Sequence, residues 1–202
     1  MSSREIARDV LLEALGSSAT PFVPVPWVDD WIVARLLRRI AKKVLVRHGL
    51  EADKPTVKAL ADGFLGAGQE PLATRAAVGA VRFVVRKVAV VLDVKKSHDV
   101  FGEAIAFALA LDAAVLGGAL RTASPYEVGH LIHRAVSATG SAALEGLAGA
   151  VRSAFERQGS AHDRASNQTR AERVAEAVGA QIDDAYARLR SSVQHELASW
   201  GR

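Results

Sequence analysis

Apolar side chains recur at helical spacing along most of this chain, and the pattern predicts about seven or eight helices. In the first, residues 3–15, Ile6 and Val10 lie four positions apart, and Ser2 with Glu5 forms a Ser-x-x-Glu capping box. Further helices are predicted over residues 27–48, 72–94, 99–120, 125–138, 141–157 and 169–200, and residues 51–68 are predicted to form a shorter helix followed by a Gly-rich turn. Strand signals are few, so the sequence predicts an all-α fold in a single compact multi-helix domain.

Two predicted helices, 76–94 and 99–120, are the most apolar and are expected to form a central pair. The first is rich in Val, but its charged residues Arg82 and Arg86 fall in one narrow stripe, which favours a helix over a strand. In the second, Asp112 is a charged residue on a nearly apolar helix. Because a buried charge needs a partner, we expect Asp112 to form a structural ion pair with Arg82 or Arg86.

The same two segments are candidates for a membrane hairpin, since 100–120 has the length of one span. Asp112 near its centre costs about 3 kcal/mol, which offsets most of the gain from its apolar residues. Arg82, Arg86 and Lys87 oppose insertion of the other segment more strongly. The sequence therefore favours a buried core, with an inserted hairpin paired through Asp112 as the alternative.

The C-terminal part divides into a polar stretch and a long amphipathic helix. Residues 159–168 are the best linker candidate, which gives a helical core domain over 1–158 and a C-terminal helix within 169–202. Thr169 and Glu172 match a second capping box, and apolar residues from Val174 to Trp200 step by three or four. This helix is expected either to pack on the core or to mediate self-association.

Composition narrows the classes of function. The chain has 202 residues, is 50% hydrophobic and contains no Cys, and about one residue in five is Ala. The absence of Cys excludes a disulfide scaffold, a Cys-ligated metal site and a thiol nucleophile. A net charge of +4 is too small to indicate a nucleic-acid binder. Glu5 and Asp9 interrupt any N-terminal signal pattern, so we expect a cytoplasmic protein.

The predicted helix 27–48 is the one element whose pattern indicates a function. Two Trp stand at its start, and six basic residues fall within about half of its circumference, with no acid among them. These eight residues are Trp27, Trp31, Arg35, Arg38, Arg39, Lys42, Lys43 and Arg47. Trp prefers the headgroup boundary and basic residues are attracted to anionic lipid, so the pattern is typical of a helix at a membrane surface.

Three other interpretations of this helix stay open. It can be an ordinary surface helix whose apolar half packs on the core, or it can bind nucleic acid or an acidic protein through the same basic residues. A protein-interaction or oligomerisation module using the C-terminal helix is the alternative from a different class. Under the membrane interpretation, the protein would sit peripherally at the inner face of the membrane.

The segment Pro24-Val-Pro26-Trp-Val-Asp29, followed by Arg39-Ile-Ala-Lys42 and by Gly49, carries a resemblance to a known family. It resembles the Pro-x-Pro-x-x-Asp, basic helix and Gly pattern of a bacterial helical domain of unknown function that often follows GTPase domains. The resemblance covers residues 24–49 and implies membrane association rather than catalysis. The chain differs from that family in lacking a Gly-x-x-x-x-Gly-Lys phosphate loop.

No catalytic motif emerges from the chain. Gly66-Ala-Gly68 starts like a dinucleotide fingerprint, but Pro71 stands at the third Gly position, so a turn is predicted. Glu127, His130 and His133 share a helical spacing that metal ligands can use, although solvated polar residues show the same spacing. We therefore predict a non-enzymatic protein without cofactor or metal.

Overall fold

The computed structural model describes residues 2–17, 28–66, 93–139, most of 146–154, and 164–200, and these residues are helical with short turns and no strand. The all-α prediction is confirmed. The helices are α1 (Ser3–Ser17), α2 (Val28–Arg47), α3 (Lys54–Phe64), α4 (Asp93–Leu116), α5 (Ala119–Thr122), α6 (Pro125–Ala138), α7 (Arg164–Ala177) and α8 (Gly179–Trp200). Helical residues within 146–154 add three buried apolar side chains to the core.

Helix α4 lies at the centre of the described fold. All of its residues from Ala104 to Ala114 are buried, and it packs against α1, α2, α6 and α8. The Ala side chains on this helix let its neighbours approach closely from several sides. The sequence-based interpretation of 99–120 as a central apolar helix is thus confirmed. Its predicted partner, 76–94, falls almost entirely outside the described residues.

Local hydrogen bonds define the end of α2 and the start of α6. Gly49 follows α2 with φ of 68°, and the Leu50 N–H donates to the Leu45 carbonyl at 3.0 Å, so a left-handed residue ends the helix. At the start of α6, Ser124 Oγ accepts from the Glu127 N–H at 3.3 Å, and Glu127 Oε2 accepts from the Ser124 N–H at 2.8 Å. This is a complete capping box.

Replacing Ser124 with alanine is expected to destabilise the protein by about 1 kcal/mol, because an N-terminal N–H of α6 loses its acceptor. The Ser124 side chain and backbone also lower the pKa of Glu127. A carboxylate whose pKa is lowered by folding contributes stability above its unfolded pKa, and that contribution disappears as the pH falls through the folded value. Urea unfolding should therefore show the Ser124→Ala deficit shrinking between about pH 5 and pH 3. A deficit that stays constant over this range would contradict the assignment.

Three helix boundaries differ from the predictions. Helix α4 begins at Asp93 and not at the predicted residue 99, so Ser97 lies inside the helix. Helix α7 begins at Arg164, within the predicted linker, so Thr169 is likewise an internal residue. The predicted helix 169–200 is two helices that meet at Val178. Helical periodicity continues across such junctions, which is why the spacing of apolar residues does not reveal them.

Both C-terminal helices pack on the core. Helix α7 contacts α1, and α8 contacts α4 and α6. The apolar residues that the sequence placed on one face are buried there: Val174, Val178, Ile182, Ala185, Leu189 and Val193. An ion pair between Arg4 and Asp183, at 2.7 Å, links the start of α1 to α8. The apolar face proposed as a self-association surface is therefore occupied within the chain.

Helices α3 and α6 cross at two glycines, Gly63 and Gly129. A Cβ atom added to Gly63 would lie 2.2 Å from the carbonyl oxygen of Tyr126, and one added to Gly129 would lie 2.3 Å from the carbonyl oxygen of Leu60. Both distances are far below van der Waals contact, and both obstacles are backbone atoms. The two helix backbones are thus in direct contact at this crossing.

Candidate functional site: the basic face of helix α2

Helix α2 is held by its apolar half, which packs against α1, α3 and α4. The side chains that anchor it are buried: Leu36, Leu37, Ile40, Ala41, Val44 and Leu45. Burial of such an apolar stripe is the main source of stability for a surface helix. The apolar half of α2 is therefore part of the core. In a helix that inserts between lipids, this half would face outward.

The opposite side of α2 presents an exposed face, defined here by Arg35, Arg39, Lys42 and Val46. These four residues are exposed and follow one another at spacings of four, three and four, which places them in a single line along the helix. Val46 is unusual for a surface residue, since 58% of it is exposed. The face thus combines three cations with an apolar residue at its C-terminal end.

Two acidic side chains from neighbouring helices flank this face. Asp62 of α3 pairs with Arg38 at 3.3 Å and also with Lys58, while Asp9 of α1 pairs with Arg47 and, at 3.4 Å, with Arg8. Sequence reasoning missed both acids, because they lie 24 and 38 residues from their α2 partners. Arg38 and Arg47, which belong to the predicted contact set, are therefore engaged in ion pairs. Lys43 is half-buried.

The side chains of the two predicted Trp contacts lie outside the described part of the structure. Trp27 lies outside the described residues. Trp31 belongs to the first turns of α2, but its side chain is likewise outside the described part of the structure.

Asp112 is the other residue that the sequence singled out, and it is 2% exposed. Its Oδ1 lies 2.8 Å from His48 Nε2, at the end of α2, and its Oδ2 accepts a hydrogen bond from the Tyr186 hydroxyl of α8 at 2.6 Å. Burial first, and then the hydrogen bond to Asp112, raise the pKa of Tyr186 above its ordinary value. The tyrosine therefore stays a hydrogen-bond donor, and the cluster joins α2, α4 and α8.

The ion pair predicted between Asp112 and Arg82 or Arg86 involves residues outside the described part of the chain. Within the described part, His48 and Tyr186 supply the partners that a buried carboxylate needs. Among those same residues, no helix combines the length and the apolar character needed to span a membrane.

The three residues with metal-ligand spacing have separate roles on α6. Glu127 belongs to the capping box, His130 packs edge-on against the Tyr126 ring at 5.2 Å, and His133 packs edge-on against Phe64 at 5.8 Å. Across the described ranges, no group of three or more His, Asp or Glu is placed to hold a metal ion.

Fold and site together define an all-α protein with a basic helical face anchored on an Ala-rich core. Comparisons of the chain with protein-family models, with curated proteins and with solved structures find no match. The resemblance of residues 24–49 to a membrane-associated bacterial domain stays a prediction. Any function must therefore be argued from the residues of the site.

Proposed function

We propose that this protein is a non-enzymatic, peripheral membrane protein that binds anionic lipid through the exposed face of α2. The observation that carries the proposal is the line formed by Arg35, Arg39, Lys42 and Val46. Each Lys or Arg near an anionic leaflet contributes about 1 kcal/mol, so the three cations supply roughly 3 kcal/mol. Binding of this strength is reversible and sensitive to salt.

Val46 favours a lipid surface over other acidic partners. An apolar side chain that is 58% exposed in line with three cations can enter the headgroup boundary while the cations meet phosphate and carboxylate groups. A nucleic acid offers the same negative charge but no apolar layer at its surface. Since the rest of the apolar half of α2 is buried, the protein would lie on the membrane without deep insertion. We therefore expect the protein to bind the cytoplasmic leaflet, because that leaflet carries the anionic lipid.

Flotation of the full chain with vesicles tests the proposal. We expect binding to phosphatidylcholine vesicles that contain phosphatidylserine, and at least a severalfold loss when Arg35, Arg39 and Lys42 are replaced together by Gln. Raising the salt from about 0.1 to 1 M shortens the screening length from roughly 10 to 3 Å, and should release the protein. A Val46→Ser variant should bind more weakly at low salt.

A second triple variant controls for net charge. Arg121, Arg173 and Arg190 are exposed and belong to α5, α7 and α8, away from α2. Replacing these three by Gln lowers the net charge from +4 to +1, as the α2 variant does, because each removes three positive charges. If both triple variants lose binding equally, only overall charge matters and the proposed face is wrong. Retention of DNA but not of vesicles would assign the face to nucleic acid instead.

A further inference from the structure

A cleft of about 450 Å³ lies at the corner between α5, α6 and α8, on elements other than α2. It is lined by Thr122, Ala123, Glu127, Leu197 and Trp200. Its volume is within the range of small-molecule sites in proteins. We propose that this cleft binds a quaternary ammonium group, and this inference is independent of the proposed function of α2.

The acidic side of the cleft is a single carboxylate with one oxygen available. Glu127 Oε2 accepts from both the backbone N–H and the hydroxyl of Ser124, at 2.8 and 2.7 Å, and these bonds leave Oε1 for a ligand. The same bonds lower the pKa of Glu127, so the group is ionised at neutral pH. The capping box also fixes the position of the carboxylate before any ligand arrives.

The first turn of α6, which includes Glu127, and the last turn of α8, which includes Leu197 and Trp200, meet at the cleft. A helix C-terminus carries about half a negative charge and favours cations. Of the cations on these helices, Arg134 of α6 is paired, with its Nε 2.8 Å from the carboxylate of Glu196, and Arg121 of α5 is exposed next to Thr122.

The remaining lining selects the type of cation. Leu197, Ala123 and Trp200 offer apolar surface, and each is half-buried. The Thr122 hydroxyl already donates to the Ala119 carbonyl at 3.1 Å. A primary ammonium or a guanidinium needs several acceptors, whereas a quaternary ammonium needs none and binds against an indole and a carboxylate. The lining therefore fits a methylated ammonium better than other cations.

Choline and its neutral isostere 3,3-dimethylbutan-1-ol provide a matched pair of probes. We expect saturation-transfer NMR with the full chain to show binding of choline in the millimolar range, and binding of the isostere about tenfold weaker or more. Glu127→Gln should weaken choline binding by about tenfold, because the amide still accepts the capping hydrogen bonds but lacks the charge. Trp200→Leu should have a similar effect while keeping the cleft apolar.

The control is Glu176→Gln, which removes one exposed carboxylate on α7 and should leave choline binding unchanged. Competition by phosphatidylcholine vesicles would assign the group to a lipid headgroup, and binding without competition would assign it to a free small molecule. Equal binding of choline and its isostere would overturn the proposal. So would the absence of choline binding, or binding that Glu127→Gln does not change while circular dichroism shows the variant folded.

Discussion

Replacing Gly129 with alanine is expected to destabilise the protein by roughly 3 kcal/mol, the upper part of the range for overpacked sites. The added methyl group would lie 2.3 Å from the Leu60 carbonyl oxygen and 2.9 Å from the Phe64 nitrogen. Neither atom can move without displacing the backbone of α3. The gain in helix propensity from Gly to Ala, about 1 kcal/mol, is too small to offset this cost. Urea unfolding followed by circular dichroism measures the difference.

Gly63→Ala should show a similar loss, because its methyl group would meet the Tyr126 carbonyl oxygen at 2.2 Å. The double variant should lose less than the sum of the two single losses, since the first substitution already separates α3 from α6.

Gly149→Ala is the matched control: this glycine is exposed and helical, and an added Cβ meets nothing within 4 Å. It should gain a few tenths to about 1 kcal/mol. Equal effects at Gly129 and Gly149 would contradict the close crossing.

Removing the carboxylate of Asp112 is the second substitution with a large expected effect. Asp112→Ala should cost roughly 2–4 kcal/mol, because the half-buried Tyr186 hydroxyl and His48 Nε2 both lose a partner that is itself buried. Asp112→Asn keeps the size and one acceptor and should cost less. The measurement is again the free energy of unfolding in urea, at neutral pH.

A triple variant separates the hydrogen-bond network from simple packing. Replacing Asp112 and His48 with Leu and Tyr186 with Phe removes every polar member at once, and buried polar networks often tolerate such a replacement. We expect this variant to be more stable than Asp112→Ala, although it carries more substitutions. If it is less stable, replacing His48 and Tyr186 carries a cost of its own, and the three side chains do not act as a unit. Tyr186→Phe alone should cost about 1–2 kcal/mol.

The basic face of α2 shows what a helical sequence pattern can and cannot predict. The sequence correctly placed six basic residues on one side of a helix and the apolar residues on the other, because both follow from a period of 3.6. It could not place Asp62 and Asp9 beside Arg38 and Arg47, since nothing in the local spacing records which helix packs next to α2. The stripe of basic residues in the sequence is thus a face that includes the ion pairs Arg38–Asp62 and Arg47–Asp9.

The sequence by itself determined the all-α class, the apolar helix at the centre, and the separation of basic and apolar residues on α2. These features depend on residues a few positions apart, whose hydrogen bonds and periodicity are visible in a linear pattern. Only the tertiary structure decided which side chains meet Asp112, because His48 and Tyr186 lie 64 and 74 residues away. It also decided the contact of Gly63 with Gly129 and the cleft beside Trp200, since both depend on how closely particular helices pack.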